Sequence, residues 1–118
     1  MDRTVPEVHL HIGDERRTTG SGGEHQHRYP ATGEAQGPVP LAGVADIDDA
    51  VQAAHTAFAT WRSWTPWQRR DVLVRLADLL EDAHDELARL SVLDNGMTLG
   101  IAQFTATSVV DYTRYYAG

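Results

Sequence analysis

Apolar and polar residues change their rhythm once along this chain. Up to about residue 43 the pattern alternates weakly and is broken by glycine and proline, whereas residues 44–117 carry apolar positions at three- and four-residue spacing nearly throughout. Val8-His9-Leu10-His11-Ile12 alternates as a strand does, Gly13-Asp14 is a tight-turn pair, and Glu15 to Thr19 can return antiparallel. Ser21-Gly22-Gly23 interrupts the chain. Glu24 to Tyr29 then reads as a strand, Pro30-Ala31-Thr32-Gly33 as a turn, and Glu34 to Leu41 as a strand in which Pro38 and Pro40 demand an edge or an irregular ending. Two short hairpins are expected.

The first helix is predicted to begin near Val44, with Asp46, Asp48 and Asp49 in its first turns complementing the positive end of the helix dipole. Its apolar stripe is Ile47, Ala50, Val51, Ala54, Phe58 and Trp61, a face that packing must cover. Thr65-Pro66-Trp67-Gln68 has the form of a capping box with proline at the first helical position, so a second helix starts there. Val72, Leu73, Leu76, Leu79, Leu80, Ala83, Leu87 and Leu90 continue its stripe broadly enough to predict burial on more than one side. Its length predicts a bend or break between Asp82 and Asp85, and Asn95-Gly96 supplies a stop. A last helix is predicted from about Leu99 to Tyr116, with Ile101, Phe104, Val109, Tyr112 and Tyr116 as loosely periodic apolar positions. The expected class is α+β, N-terminal β-hairpins followed by three to four amphipathic helices, in one partial domain over 1–118 with a hairpin region at 1–43 and a helical region at 44–118.

At 118 residues the chain is long enough for one small domain, and its 42% apolar and 23% charged residues are those of a folded protein. The basic residues are all arginines, outnumbered by Asp and Glu to a formal charge of -7, which disfavours nucleic acid and anionic membrane as partners. No apolar run approaches a membrane span and the N-terminus lacks a signal-peptide layout, so a cytoplasmic location is expected. Cysteine is absent, which excludes disulfides, thiolate metal sites and a thiol nucleophile. Lysine is absent too, which excludes Schiff-base chemistry and a P-loop lysine.

Tyr29-Pro-Ala-Thr-Gly-Glu34, Pro40-Leu41-Ala42 leading into an acidic helix start, Phe58 and Trp61 spaced three apart, Leu76-Ala-Asp-Leu-Leu-Glu81, Leu93-Asp-Asn-Gly96 and Arg114-Tyr-Tyr-Ala-Gly118 occur in this order. Together they resemble the opening of an NAD(P)-dependent aldehyde dehydrogenase over roughly residues 8 to 118. Departures fall at Arg16, Tyr29, Ser91 and Met97, where the family commonly has an aromatic residue, Asn, Glu and Lys. The resemblance implies the N-terminal wrap of hairpins and helices around a Rossmann-like cofactor domain, without that domain's sheet. It also implies that the nucleophilic cysteine, the general-base glutamate and the dinucleotide-binding strands belong to later parts of the fold, so no catalytic, cofactor-binding or metal residue is assigned here and NAD(P) is the cofactor of the complete family. The expectation is a truncated aldehyde dehydrogenase, inactive alone, whose partner is a polypeptide carrying the remaining domains or a second copy of itself.

Two competing readings come from the residues themselves. The first is a non-catalytic interaction module with docking helix faces. The second is a small metal-binding protein, because His9 with His11 and His25 with His27 each place two imidazoles on one strand face; the alternative for these pairs is an exposed edge. His55 and His84 are expected at the solvent boundary. Gly20-Ser21-Gly22-Gly23 superficially resembles a phosphate loop but lacks the following helix and lysine, and is read as a flexible turn. Asp78, Glu81, Asp82, Asp85 and Glu86 form an acidic cluster read as a solvated face, and Trp61, Trp64 and Trp67 as a core corner between helices.

Overall fold

A computed structural model describes residues 2–118. These residues form two compact units, one of residues 4–63 and one of residues 64–118 with residues 2 and 3. The first helix therefore belongs with the hairpins, although the change from strand to helix falls at Val44.

In the first unit, β1 (Leu10–Ile12) pairs antiparallel with β2 (Glu15–Arg17), Leu10 opposite Arg17 and Ile12 opposite Glu15. Gly13 takes φ 62 and among the described residues no non-glycine residue has positive φ, so only the first of the two turn residues is left-handed, as a type II′ hairpin requires. In a separate two-stranded sheet β3 (Glu24–Arg28) pairs with β4 (Ala35–Pro40), with the register shifting between His27 and Arg28. Pro38 and Pro40 are tolerated because each strand of a pair is an edge. The turn between them closes through the Tyr29 carbonyl, which accepts from the amides of Thr32 at 3.2 Å and Gly33 at 2.7 Å.

Helix α1 (Val44–Ser63) packs against β1. Of the predicted stripe only Ala50 and Trp61 are half-buried. Asp46 is buried and Ala50 and Ala53 are half-buried, whereas Val51, Ala54 and Phe58 are exposed and Ile47 keeps 56% of its surface in solvent. A close approach selects small side chains: a Cβ placed on Gly13 would stand 3.6 Å from that of Ala53.

The second unit opens as predicted. Thr65 Oγ1 accepts from the Gln68 amide at 3.3 Å, Gln68 Oε1 accepts from the Thr65 amide at 2.9 Å, and α2 (Pro66–Asp82) follows. The break falls at Ala83, with φ -91 and ψ 6, and α3 (His84–Asn95) runs to Gly96, whose φ of 76 closes it as a left-handed cap. Helix α4 (Leu99–Ala117) lies against both α2 and α3. Its buried positions are Ala102, Ala106 and Val110, four residues apart, and they meet a core otherwise made of Ala77, Ala88 and Leu93.

Apart from Leu93 and Val110 the buried positions of these helices are alanines, and most of their larger side chains lie outside. Ile101, Phe104, Val109, Tyr112 and Tyr116, the apolar positions predicted for this helix, are all exposed, Phe104 by 73% and Tyr116 by 77%. On α2, Val72, Leu76 and Leu79 are exposed too, while Leu73 and Leu80 are half-buried.

Candidate functional site

Among the described residues the buried polar side chain is Asp46, at the start of α1 and only 6% exposed. Its Oδ2 accepts from the Ser21 hydroxyl at 2.6 Å, the Ser21 amide at 2.7 Å and the Gly43 amide at 2.9 Å. Its Oδ1 lies 3.5 Å from Arg17 Nη1, but the guanidinium is engaged more closely elsewhere, 2.8 Å from both Asp49 and Glu15. Three donors favour the ionised carboxylate, so Asp46 is held at about 2, from an ordinary 3.8. The Ser21 hydroxyl contributes most, then the Gly43 and Ser21 amides, and these outweigh the opposing effect of burial.

Ser21 lies in the glycine loop that superficially resembles a phosphate cradle. Its amide and hydroxyl do converge on an anion, and that anion is the chain's own Asp46 carboxylate. Nor is the loop a flexible turn. The Gly23 amide donates to Gly20, the Gly22 amide to Leu41 and the Leu41 amide to Gly23. A Cβ on Gly20 would come 2.1 Å from the Leu41 carbonyl oxygen, so the tie admits only glycine there. Asp46 was visible in the sequence as one of three acidic residues at a helix start; its long-range partner Ser21 was not.

The histidines do not converge. His9 and His11 stack edge to face with ring centroids 6.3 Å apart, and His9 Nε2 lies 3.5 Å from Glu7. His25 and His27 sit on the other sheet, opposite Val39 and Gly37. Among the described residues no three His, Cys, Asp or Glu side chains come together as a metal site requires. His55 is exposed and His84 half-buried, both at the solvent boundary as expected. His84 Nδ1 is 3.1 Å from Asp85 and its Nε2 is 3.2 Å from the Gln103 carbonyl and 3.1 Å from the Thr107 hydroxyl, which ties α3 to α4.

The acidic cluster is largely paired. Arg114 on α4 donates to Glu81 at 2.5 Å and to Asp78 at 3.2 Å on α2, and Arg89 donates to Glu86 at 2.6 Å. These arginines hold the Glu81 and Glu86 carboxyls below their usual range, chiefly through those hydrogen bonds. Trp61 ends α1 in the first unit and Trp64 begins the second, both half-buried, while Trp67 is 71% exposed. The polar contacts around Asp46 close the Ser21 loop onto the start of α1.

Among the described residues no helix is long and apolar enough to cross a membrane. The profile of the aldehyde dehydrogenase family matches residues 18–118. The DhaS protein of Bacillus subtilis strain 168 is 37% identical over 112 residues, which covers 92% of this chain and 23% of that protein. The 2-aminomuconic semialdehyde dehydrogenase of Bos taurus is 46% identical over 74 residues, 63% of this chain and 15% of that one. An aldehyde dehydrogenase of Bacillus cereus, solved as its NAD+ complex, superposes with a TM-score of 0.87 at 36% identity over 96% of this chain and 24% of its own. The chain thus spans a quarter or less of the length of each of these relatives. Sequence and fold agree, and the chain belongs to the aldehyde dehydrogenase family.

Proposed function

We propose that these 118 residues act as the N-terminal packing frame of an NAD(P)-dependent aldehyde dehydrogenase and carry no step of its reaction themselves. The observation that carries this reading is the outward placement of the large apolar side chains. Ile47, Val51 and Phe58 on α1, and Phe104, Tyr112, Tyr115 and Tyr116 on α4, are exposed while alanines fill the interior. Exposed aromatic and branched side chains at this density are a surface for further protein to cover.

The family's thioester chemistry needs a thiolate, and the sequence contains no cysteine. Nor do the residues present fit a dinucleotide. The glycine loop whose donors converge on an anion is filled by Asp46, whose charge repels a pyrophosphate. No step through NAD(P) is therefore assigned to this chain.

The test has two parts. Titrating the purified chain with NAD+ and NADP+ in a calorimeter, then adding several aldehydes, is expected to give neither binding heat nor reduced cofactor. Co-expression with the Bacillus cereus relative lacking the segment that this chain matches is expected to yield a co-purifying complex. Turnover by the chain alone that a point substitution in it abolishes, or failure of the two polypeptides to associate, refutes the reading.

A further inference from the structure

We propose that Asn95 is a site of spontaneous deamidation and isomerisation, gated by the last turn of α3. Asn95 ends the helix and is exposed, and it is followed by Gly96, which has no side chain to shield its amide nitrogen. Asn95 Oδ1 accepts from the Met97 amide at 3.0 Å. That hydrogen bond folds the side chain over its own downstream backbone and withdraws electrons from Cγ, the atom to be attacked.

The reaction balances without any redox partner. The deprotonated Gly96 nitrogen attacks Asn95 Cγ, the new N–Cγ bond closes a five-membered succinimide, and the Cγ–Nδ2 bond breaks with the amide nitrogen leaving as ammonia. Water then opens the ring. Addition at Cγ gives aspartate, and addition at the main-chain carbonyl gives isoaspartate.

In the closed helix the nucleophile is engaged elsewhere: the Gly96 amide donates to the Val92 carbonyl at 3.0 Å, and Asn95 has helical backbone geometry that holds that nitrogen away from Cγ. The reaction therefore proceeds from states in which the last turn has opened, a local event that does not require global unfolding. Its product opposes the fold that gated it. A new carboxylate at position 95 sits at the negative end of the helix dipole, and isoaspartate inserts a methylene into the backbone two residues from buried Leu93.

The experiment incubates the full chain in mildly alkaline buffer, with and without urea, and follows residue 95 by peptide mapping and isoaspartate labelling. Aspartate and isoaspartate are expected at residue 95 in both conditions. Loss of Asn95 should be slower without urea by about tenfold or more, the factor that an opening free energy of about 1.4 kcal/mol gives. The slowing should match the hydrogen-exchange protection of the Gly96 amide, and Asn95→Gln should remove the reaction in both conditions. Equal rates with and without urea overturn the gate, and an unmodified Asn95 in urea overturns the site.

Discussion

Truncating Leu93 removes the largest fully buried side chain among the described residues, with 0% of its surface exposed. Leu93→Ala costs the transfer energy of the lost carbons and that of any cavity that cannot close. Buried leucines lose about 2.7–5 kcal/mol in this way, depending on how far the surroundings collapse. Here collapse is limited, because Ala77, Ala88, Ala102 and Ala106 have no rotatable side chain to swing into the void and Val110 has one stiff torsion. A loss of about 4 kcal/mol is therefore expected. In a unit of this size each kcal/mol moves the thermal midpoint by about 4–8 °C, so the shift should be about 15–30 °C. Such a loss is a large share of the 5–15 kcal/mol that stabilises a typical domain. The assay is urea unfolding followed by circular dichroism, with Leu76→Ala as the matched control. Leu76 is 44% exposed on α2, so the same truncation there should cost about 1 kcal/mol. Equal losses for the two variants, or a loss under about 1 kcal/mol at Leu93, would refute a helical unit organised around that residue.

Asp46 is held at about 2, so its contribution to the first unit is complete above the ordinary 3.8 and is lost as pH falls towards 2. Asp46→Asn should weaken this unit at neutral pH and flatten its stability over that acid window; nuclear magnetic resonance of the Ser21 amide is the readout, and an unchanged acid profile counts against the assignment. Replacing Phe104 and Tyr116 together with Gln should reduce dye binding and self-association of the isolated chain without loss of helix, since both side chains are already in solvent. A wild-type chain that is monodisperse and binds no dye contradicts the exposed-face reading. Thr65→Ala removes one half of the capping box and should lower stability by about 1 kcal/mol, with Thr65→Ser recovering most of it.

Local chemistry made most element boundaries legible. The break at Ala83, the stop at Gly96 and the start at Thr65 all depend on residues within a few positions of one another, so one stretch of chain contains the whole reason. The resemblance to aldehyde dehydrogenases was legible for a related reason: its short motifs are spread in order along the chain, and matching them needs no knowledge of what packs on what. For the candidate site, only Asp46 was visible and only as a helix-dipole residue, because Ser21, its strongest partner, lies 25 residues away.

Periodicity established that α1 and α4 have apolar faces, but not which way those faces turn. A helical pattern reports that one side differs from the other; which side is buried depends on how closely the neighbouring backbone comes. Against α2 and α3 that distance suits Ala102 and Ala106, and against β1 it suits Ala50 and Ala53, so Phe104, Tyr112, Ile47 and Phe58 are left in solvent. The amino-acid order was sufficient for the family, the elements and their caps, all of which follow from short-range contacts and from motifs in series. Tertiary structure alone decided the alanine core, the Asp46 anchor and the outward aromatic face, because each depends on the spacing between segments remote in the chain.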